Sequence, residues 1–234
     1  MANKYTMANI LIVGDSWGEP NWRGPEYPGF TEAGHTTYQL RSLGHDVINL
    51  AVSGGSNLST WINVRERGDL NQDRHWVIWF HTEITRDWPQ DRHRWFYQAI
   101  TDRTADRVYS EIKQIKHTHC PNAGLILVEG QSTVIEPWFS QNFTTDLFVK
   151  DWRSELLGRP MPPSQLTAQL SQDQNILKGC LDSVEQQHQL IDHAEVILKA
   201  MNASDLFPDR CHPGDLAHQQ LSLRIHKFIE ENSQ

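Results

Sequence analysis

Cysteine is scarce in this chain: Cys120, Cys180 and Cys211 are the three present among 234 residues. They are too few and too scattered for a disulfide framework, and an odd count fits a reducing compartment. No apolar run approaches the roughly 18 residues that a membrane span requires, so no membrane partner is expected. The N-terminus lacks the basic segment, long apolar core and small-residue cleavage site of a secretory signal, so cytoplasmic synthesis without a signal peptide is expected. Basic residues are in deficit as well. Lys and Arg number 21 against 29 Asp and Glu, for a formal net charge of -8. That argues against a nucleic-acid backbone as the main partner, because such binding needs clustered cations. Twelve histidines soften the acidity below neutral pH. Internal repeats and low-complexity linkers are also missing, which leaves residues 1–234 as one expected domain.

Met1-Ala2-Asn3 is echoed by Met7-Ala8-Asn9, so Met7 reads as a second start or a seam, and residues 1–7 are expected to be a disordered leader. After it, short apolar runs alternate with polar, helix-like stretches. Asn9 to Gly14 is an unbroken apolar run ending in glycine, as a buried strand should be. Thr37 to Leu43 reads as a short helix stopped by Gly44, Asp46 to Val52 as a second strand, and Leu58 to Glu66 as a helix. Trp76 to Phe80 is the third strand, Arg94 to Lys116 a long charged helix, and Gly124 to Val128 the fourth strand. Residues 131–163 form an aromatic and proline-rich insertion, with a short fifth strand expected near Thr133 to Ile135. Gln165 to Met201 is mostly helical, and Asp215 to Glu231 is a closing amphipathic helix. This β-α-β alternation predicts a three-layer α/β/α protein with a flavodoxin-like parallel sheet of about five strands. Ligands in such sheets lie at the carboxyl ends of the strands, just where Ser16, Gly54, Thr82 and Gly130 fall.

Ile10 to Gly18 reads ILIVGDSWG, and its last five residues satisfy two serine signatures at once. As G-x-S-x-G it would be an α/β-hydrolase nucleophile elbow, but that elbow follows several strands and here only one precedes Ser16. Gly-Asp-Ser after the first strand, a glycine turn after the second and Asp-x-x-His before the last helix instead resemble the SGNH, or GDSL-type, hydrolase family. Three short blocks carry the resemblance across most of the chain: VGDSWG at 13–18, NLAVSGGS at 49–56 and FPDRCHPGD at 207–215. The resemblance implies the SGNH hydrolase fold, with Ser16 as nucleophile, His212 as its base and Asp209 orienting the imidazole. The backbone N–H groups of Ser16 and Gly54 would be oxyanion donors, the first placed at a helix N-terminus. The chemistry suits the residue types. A serine hydroxyl is a poor nucleophile until a neutral imidazole takes its proton, and a carboxylate stabilises the imidazolium that results. Each residue alone has a plainer reading, since Ser16 could cap a helix, Asp209 make an Asx-turn and His212 lie on the surface.

The sequence departs from the family at its third block. Where the family has Gly-x-Asn-Asp, whose asparagine donates to the oxyanion, this chain has His81-Thr82-Glu83-Ile84-Thr85-Arg86-Asp87. An ionised Glu83 donates nothing and would repel the developing charge. Losing one such donor costs about 3 kcal/mol in other serine hydrolases. Three outcomes are open. A protonated, desolvated Glu83 could donate; it could turn aside to pair with Arg86 and leave Thr82 or Arg86 as donor; or the oxyanion hole could be incomplete. Arg86, always charged and near in sequence, favours the second. An ordinary surface pair between Glu83 and Arg86 is as common. The TEITR variant is similar to SGNH-like proteins encoded by bacteriophages, which would make the protein virion-associated.

His117-Thr118-His119-Cys120 has metal-ligand residue types, but no further partners at suitable spacing are evident, and a helix C-terminus explains it better. No metal and no cofactor are expected, and Cys211 beside His212 is taken as a bystander. Nine tryptophans are many for this length. Trp76 and Trp79 belong in the core, whereas Trp17, Trp22, Trp88, Trp138 and Trp152 fall in loops where they could line a glycan or aromatic-acyl groove. The leading expectation is a serine esterase acting on a small ester or an acylated glycan, with an O-acetyl group as the best substrate. The alternative is a non-catalytic carbohydrate-binding or structural protein of the same fold, set in a larger virion assembly whose partners the sequence does not name.

Overall fold

The computed structural model describes residues 7–20, 29–67, 73–81, 107–129, 147–149, 152, 206, 208 and 212–232. Among the described residues five strands form one sheet: β1 (Asn9–Gly14), β2 (Asp46–Asn49), β3 (Trp76–His81), β4 (Gly124–Glu129) and β5 (Leu147–Val149). Their spatial order is β2-β1-β3-β4-β5 and every pairing is parallel, which is the doubly wound, flavodoxin-like arrangement. The registers Ile10↔Trp76 through Gly14↔Phe80 and Trp76↔Gly124 through His81↔Glu129 align the carboxyl ends of β1, β3 and β4 along one edge.

β1, β3 and β4 are apolar over Ile10–Val13, Trp76–Phe80 and Leu125–Val128 because both faces of the sheet are covered. Ile10, Ile12, Ile78, Phe80, Ile126 and Val128 point to one face, where they meet Leu40 of α1 (Thr36–Ser42) and Ala217, Leu221, Ile225 and Ile229 of the last helix, α4 (Asp215–Asn232). Leu11, Val13, Val77, Trp79, Leu125 and Leu127 point to the other face. There they pack on Val64 of α2 (Asn57–Glu66) and on Val108, Ile112 and Ile115 of α3, whose described part runs over 107–119. Each fully buried aliphatic side chain contributes about 1.5–3 kcal/mol relative to exposure. The side-chain period of two in the strands thus builds two cores on one sheet.

Several expectations shift in detail. β2 stops at Asn49 rather than Val52, because the Asn49 side chain takes over: its Oδ1 accepts the Ala51 N–H at 2.7 Å. The chain still follows β1 through Leu50 N–H to Ile12 O at 2.8 Å and Val52 N–H to Gly14 O at 3.0 Å. α3 ends in a π-helical segment, Ile115–His119, closed by Cys120 N–H donating to Ile115 O at 2.8 Å. His117 to Cys120 therefore form the end of a helix, and burial pushes the Cys120 thiol up to about 11. The fifth strand is Leu147–Val149, inside the insertion, while the 133–135 stretch lies outside the described residues. The leader 1–6, the helical reading over 94–106, most of 131–163 and the helical reading over 165–201 lie outside them too. Trp76 and Trp79 are buried core residues as expected.

Candidate active site

β1 delivers Ser16 to the carboxyl edge of the sheet. Gly14 has φ +135°, and a Cβ there would lie 2.3 Å from Phe80 O, so only glycine lets the end of β1 lie this close to β3. The chain then turns at once. Gly18 N–H and Glu19 N–H both donate to Asp15 O, at 3.0 and 3.1 Å, and Trp17 N–H donates to Asp15 Oδ1 at 3.0 Å. The Asp of the Gly-Asp-Ser run is a turn-former, satisfying the backbone of the residue after the serine. This corrects the sequence reading in one respect: residues 15–18 are a bend and a turn, and among the described residues no helix begins at Ser16.

The second glycine turn lies beside the first. Val52 N–H to Gly14 O carries the chain past the end of β1, and Gly55 N–H donates back to Val52 O at 2.9 Å. Gly54 occupies the third position of that turn at φ +70°, as a type II turn requires. Ser53 N–H is held by Glu19 Oε2 at 2.6 Å, and Asn49 Nδ2 binds both Gly18 O and Thr37 Oγ1 at 2.7 Å. Ser56 then caps α2 in a capping box with Ser59. The two turns are thus tied into one unit, and among the described residues no acceptor takes the Ser16 or Gly54 N–H.

His212 arrives from the far end of the chain. Its bend is fixed by Gly214 N–H to Leu206 O and Asp215 N–H to Gly29 O, both at 2.8 Å. The Asp215 carboxylate, in the first turn of α4, accepts Thr31 N–H at 2.7 Å and Thr31 Oγ1–H at 2.8 Å. Pro213 precedes the helix by two residues rather than opening it. The result is a 3.0 Å separation between Ser16 Oγ and His212 Nε2, across 196 residues of sequence. That is hydrogen-bond distance for a nucleophile and its base. Ser16 is only 5% exposed, whereas His212 is half-buried, so the nucleophile candidate is largely out of bulk water and its partner less so.

The other sequence-derived site residues fare differently. Asp209, Thr82, Glu83 and Arg86 lie outside the described residues. Trp17 is described, and its ring is where a groove wall would not be. It is buried in the core under α4, edge-on to Trp152 with ring centroids 5.7 Å apart, and Trp152 is buried as well. Both rings are packing elements, held there by the apolar surface they remove from water. His81, the last residue of β3 before the departing third block, is buried with neither ring nitrogen hydrogen-bonded among the described residues, and burial pushes its pKa down to about 3.

Residues behind the pair were not singled out from the sequence. His35 caps α1, its Nδ1 accepting Thr37 N–H at 3.1 Å, and Thr36 Oγ1 lies 2.9 Å from His218 Nδ1. A signal for His218 existed. It lies with Ala217, Leu221 and Ile225 at helical spacing on the buried face of α4, a position where histidine must be partnered. His35 carries no comparable pattern. Among the described residues no cluster of three or more His, Cys, Asp and Glu could hold a metal ion, and no helix is long and apolar enough to cross a membrane.

No protein-family profile matches the sequence, and no curated protein does. Solved structures do. The psychrotrophic esterase EstA from a Pseudoalteromonas species, captured inhibited by monoethylphosphonate, aligns over 96% of this chain and 97% of its own at 11% identity and a TM-score of 0.52. A GDSL-like lipase from Parabacteroides merdae aligns over 98% of this chain and 99% of its own at 14% identity and a TM-score of 0.46. The chain shares the α/β fold of the EstA esterase. At such identities the likeness is one of fold, and the chemistry rests on this chain's own residues.

Proposed function

We propose that this protein is a serine ester hydrolase. The observation that carries the reading is the 3.0 Å contact between Ser16 Oγ and His212 Nε2. Ser16 Oγ attacks the ester carbonyl carbon while His212 takes the hydroxyl proton. The imidazolium then gives that proton to the departing alcohol oxygen as the carbonyl–oxygen bond breaks. Water, deprotonated by the same imidazole, releases the acyl group as a carboxylic acid and restores Ser16. In this reading Asp209 orients His212, the Ser16 and Gly54 N–H groups receive the oxyanion, and Thr82 or Arg86 adds a donor beside Glu83. Among the described residues the Ser16 and Gly54 N–H groups have no acceptor, which supports the oxyanion role.

The substrate proposed is an O-acetyl ester on a glycan. Its support is the family resemblance together with Trp22, Trp88 and Trp138, since the burial of Trp17 and Trp152 withdraws those two rings from a sugar-facing role. A virion setting stays part of the proposal through the TEITR resemblance alone. The test is labelling by a fluorophosphonate probe, mapped by mass spectrometry, alongside release of nitrophenol from nitrophenyl acetate and of acetate from an acetylated glycan. Wild type is expected to label at Ser16, and Ser16→Ala to lose labelling and at least about a thousandfold in kcat. Equal turnover by the two proteins would sink the serine mechanism. Failed labelling with glycan binding that survives Ser16→Ala would favour the non-catalytic alternative.

A further inference from the structure

Behind the Ser16–His212 pair lies a second polar layer, built from α1 and α4. The rings of His35 and His218 are both buried, with centroids 4.2 Å apart. His218 Nδ1 and Thr36 Oγ1 are 2.9 Å apart, also buried. Trp152 meets the His218 ring edge-on at 5.4 Å and Phe80 lies 6.4 Å away, so aromatic rings pack around it. On the α4 side, His218 N–H donates to Gly214 O at 3.0 Å. The ring also lies close enough to the Pro213 carbonyl, on the residue after His212, for that carbonyl to act on its titration. On the α1 side, His35 Nδ1 accepts Thr37 N–H, and the Trp17 carbonyl, next to Ser16, acts on the titration of its ring, while His35 Nε2 has no hydrogen-bond partner among the described residues. His35, Thr36 and His218 thus join α1 to the first turn of α4, which follows the His212–Pro213 corner.

We propose that His218, held by the Thr36 hydroxyl, is a positioning residue for His212, fixing the His212–Pro213 corner against α1 so that Nε2 stays within hydrogen-bond distance of Ser16. The proposal rests on the serine hydrolase reading for its effect on turnover, though not for its effect on geometry. The charge state of the layer suits the role. Burial pushes the pKa of His35 down to about 3 and that of His218 well below its ordinary value. Both rings are neutral at pH 7, and the proximity of His212 lowers His218 further. The imidazolium formed on His212 during turnover therefore faces polar but uncharged neighbours. A second cation there would oppose its formation.

The test uses three proteins: His218→Phe, which keeps the ring and its aromatic contacts, Thr36→Val, which removes one hydroxyl at constant shape, and the double substitution. A base displaced by a fraction of an ångström to 1 Å loses roughly tenfold to a hundredfold in rate. Each single variant should therefore lose that factor in kcat toward nitrophenyl acetate, with KM changed by less than about twofold. The double variant should lose no more than the worse single, because both break one link. A second readout needs no turnover: the 15N resonances of the His212 ring, which report whether Nε2 is hydrogen-bonded. In His218→Phe and Thr36→Val they should move toward those of a free imidazole. Unshifted His212 resonances in both variants would overturn the proposal, as would wild-type kcat in both. If His218→Phe does not fold, Thr36→Val supplies both readouts. If wild type neither turns over ester nor labels at Ser16, the hydrolase reading fails while the His212 resonances still decide the positioning claim.

Discussion

Acid should unfold this protein early, because buried histidines resist protonation in the folded state. His35, His81 and His218 are buried in the folded state, and burial holds the first two near pKa 3 and the third well below 6.5. In the unfolded chain each takes up a proton below its ordinary pKa of about 6.5. The unfolded state thus binds more protons than the folded one throughout that interval, and stability falls as pH falls. The loss begins near pH 6.5 and continues to about pH 3 for His35 and His81. Each histidine approaches a slope of about 1.4 kcal/mol per pH unit. From pH 7 to pH 5, His35 and His81 together remove about 4 kcal/mol, and His218 adds to that. A typical domain holds about 5–15 kcal/mol in all, so a large fraction is gone before most carboxylates begin to titrate. Urea titrations at pH 7, 6 and 5, followed by far-UV circular dichroism, measure the slope. His81→Leu isolates one contribution, and because neither His81 ring nitrogen is hydrogen-bonded among the described residues, the substitution leaves no stranded partner there. It should leave stability at pH 7 unchanged or raise it by about 1 kcal/mol, and make the acid slope shallower by about 1.4 kcal/mol per pH unit. Stability that stays flat between pH 7 and pH 5, or an unchanged slope in His81→Leu, would refute the reasoning.

Other substitutions separate packing from chemistry. Gly14→Ala places a Cβ 2.3 Å from Phe80 O at φ +135° and should cost about 3 kcal/mol or more. Gly44→Ala, at φ +93° with nothing within 4 Å, should cost only about 1–2 kcal/mol, and equal melting shifts would contradict the clash. Trp17→Ala empties a core site and should cost about 3–5 kcal/mol. A raised KM at an undiminished melting temperature would instead put the ring in a substrate groove. Cys120, buried with its thiol pushed up to about 11, should resist iodoacetamide at pH 8 in the folded protein and react in urea, as peptide mapping would show.

The sheet was legible because both of its faces are buried, which turns β1, β3 and β4 into unbroken apolar runs flanked by polar helices. What the apolar pattern could not carry was the work of single polar atoms. Asn49 ends β2 early because its side chain serves a backbone N–H, a choice invisible in the run Asp46 to Val52. Trp17 looked available for a ligand because it follows the serine in a turn, yet its indole fills the core beneath α4. Ser16 and His212 were readable through their motifs, whereas His35 and His218 belong to no motif. Their pairing depends on how α1 crosses α4, and tertiary contact of that kind leaves little trace in local sequence.

The Gly-Asp-Ser run also shows why the motif by itself could not decide the function. Gly14 permits the close approach of β1 to β3, and Asp15 closes the turn onto Trp17 and Gly18. Two of the three residues thus serve the backbone and would be kept by a protein of this fold that had lost its chemistry. The Ser16 hydroxyl differs. The start of α4 is already tied down by backbone bonds to Leu206 and Gly29 and by Asp215 on Thr31, none of which involves Ser16. Removing the hydroxyl deletes one partly buried hydrogen bond, whose net worth is about 1 kcal/mol. Ser16→Ala should therefore melt within a few degrees of wild type while losing fluorophosphonate labelling outright. A loss of several kcal/mol in Ser16→Ala would mean that the Ser16–His212 contact holds the fold together, and the main reason for reading it as a nucleophile and its base would be gone.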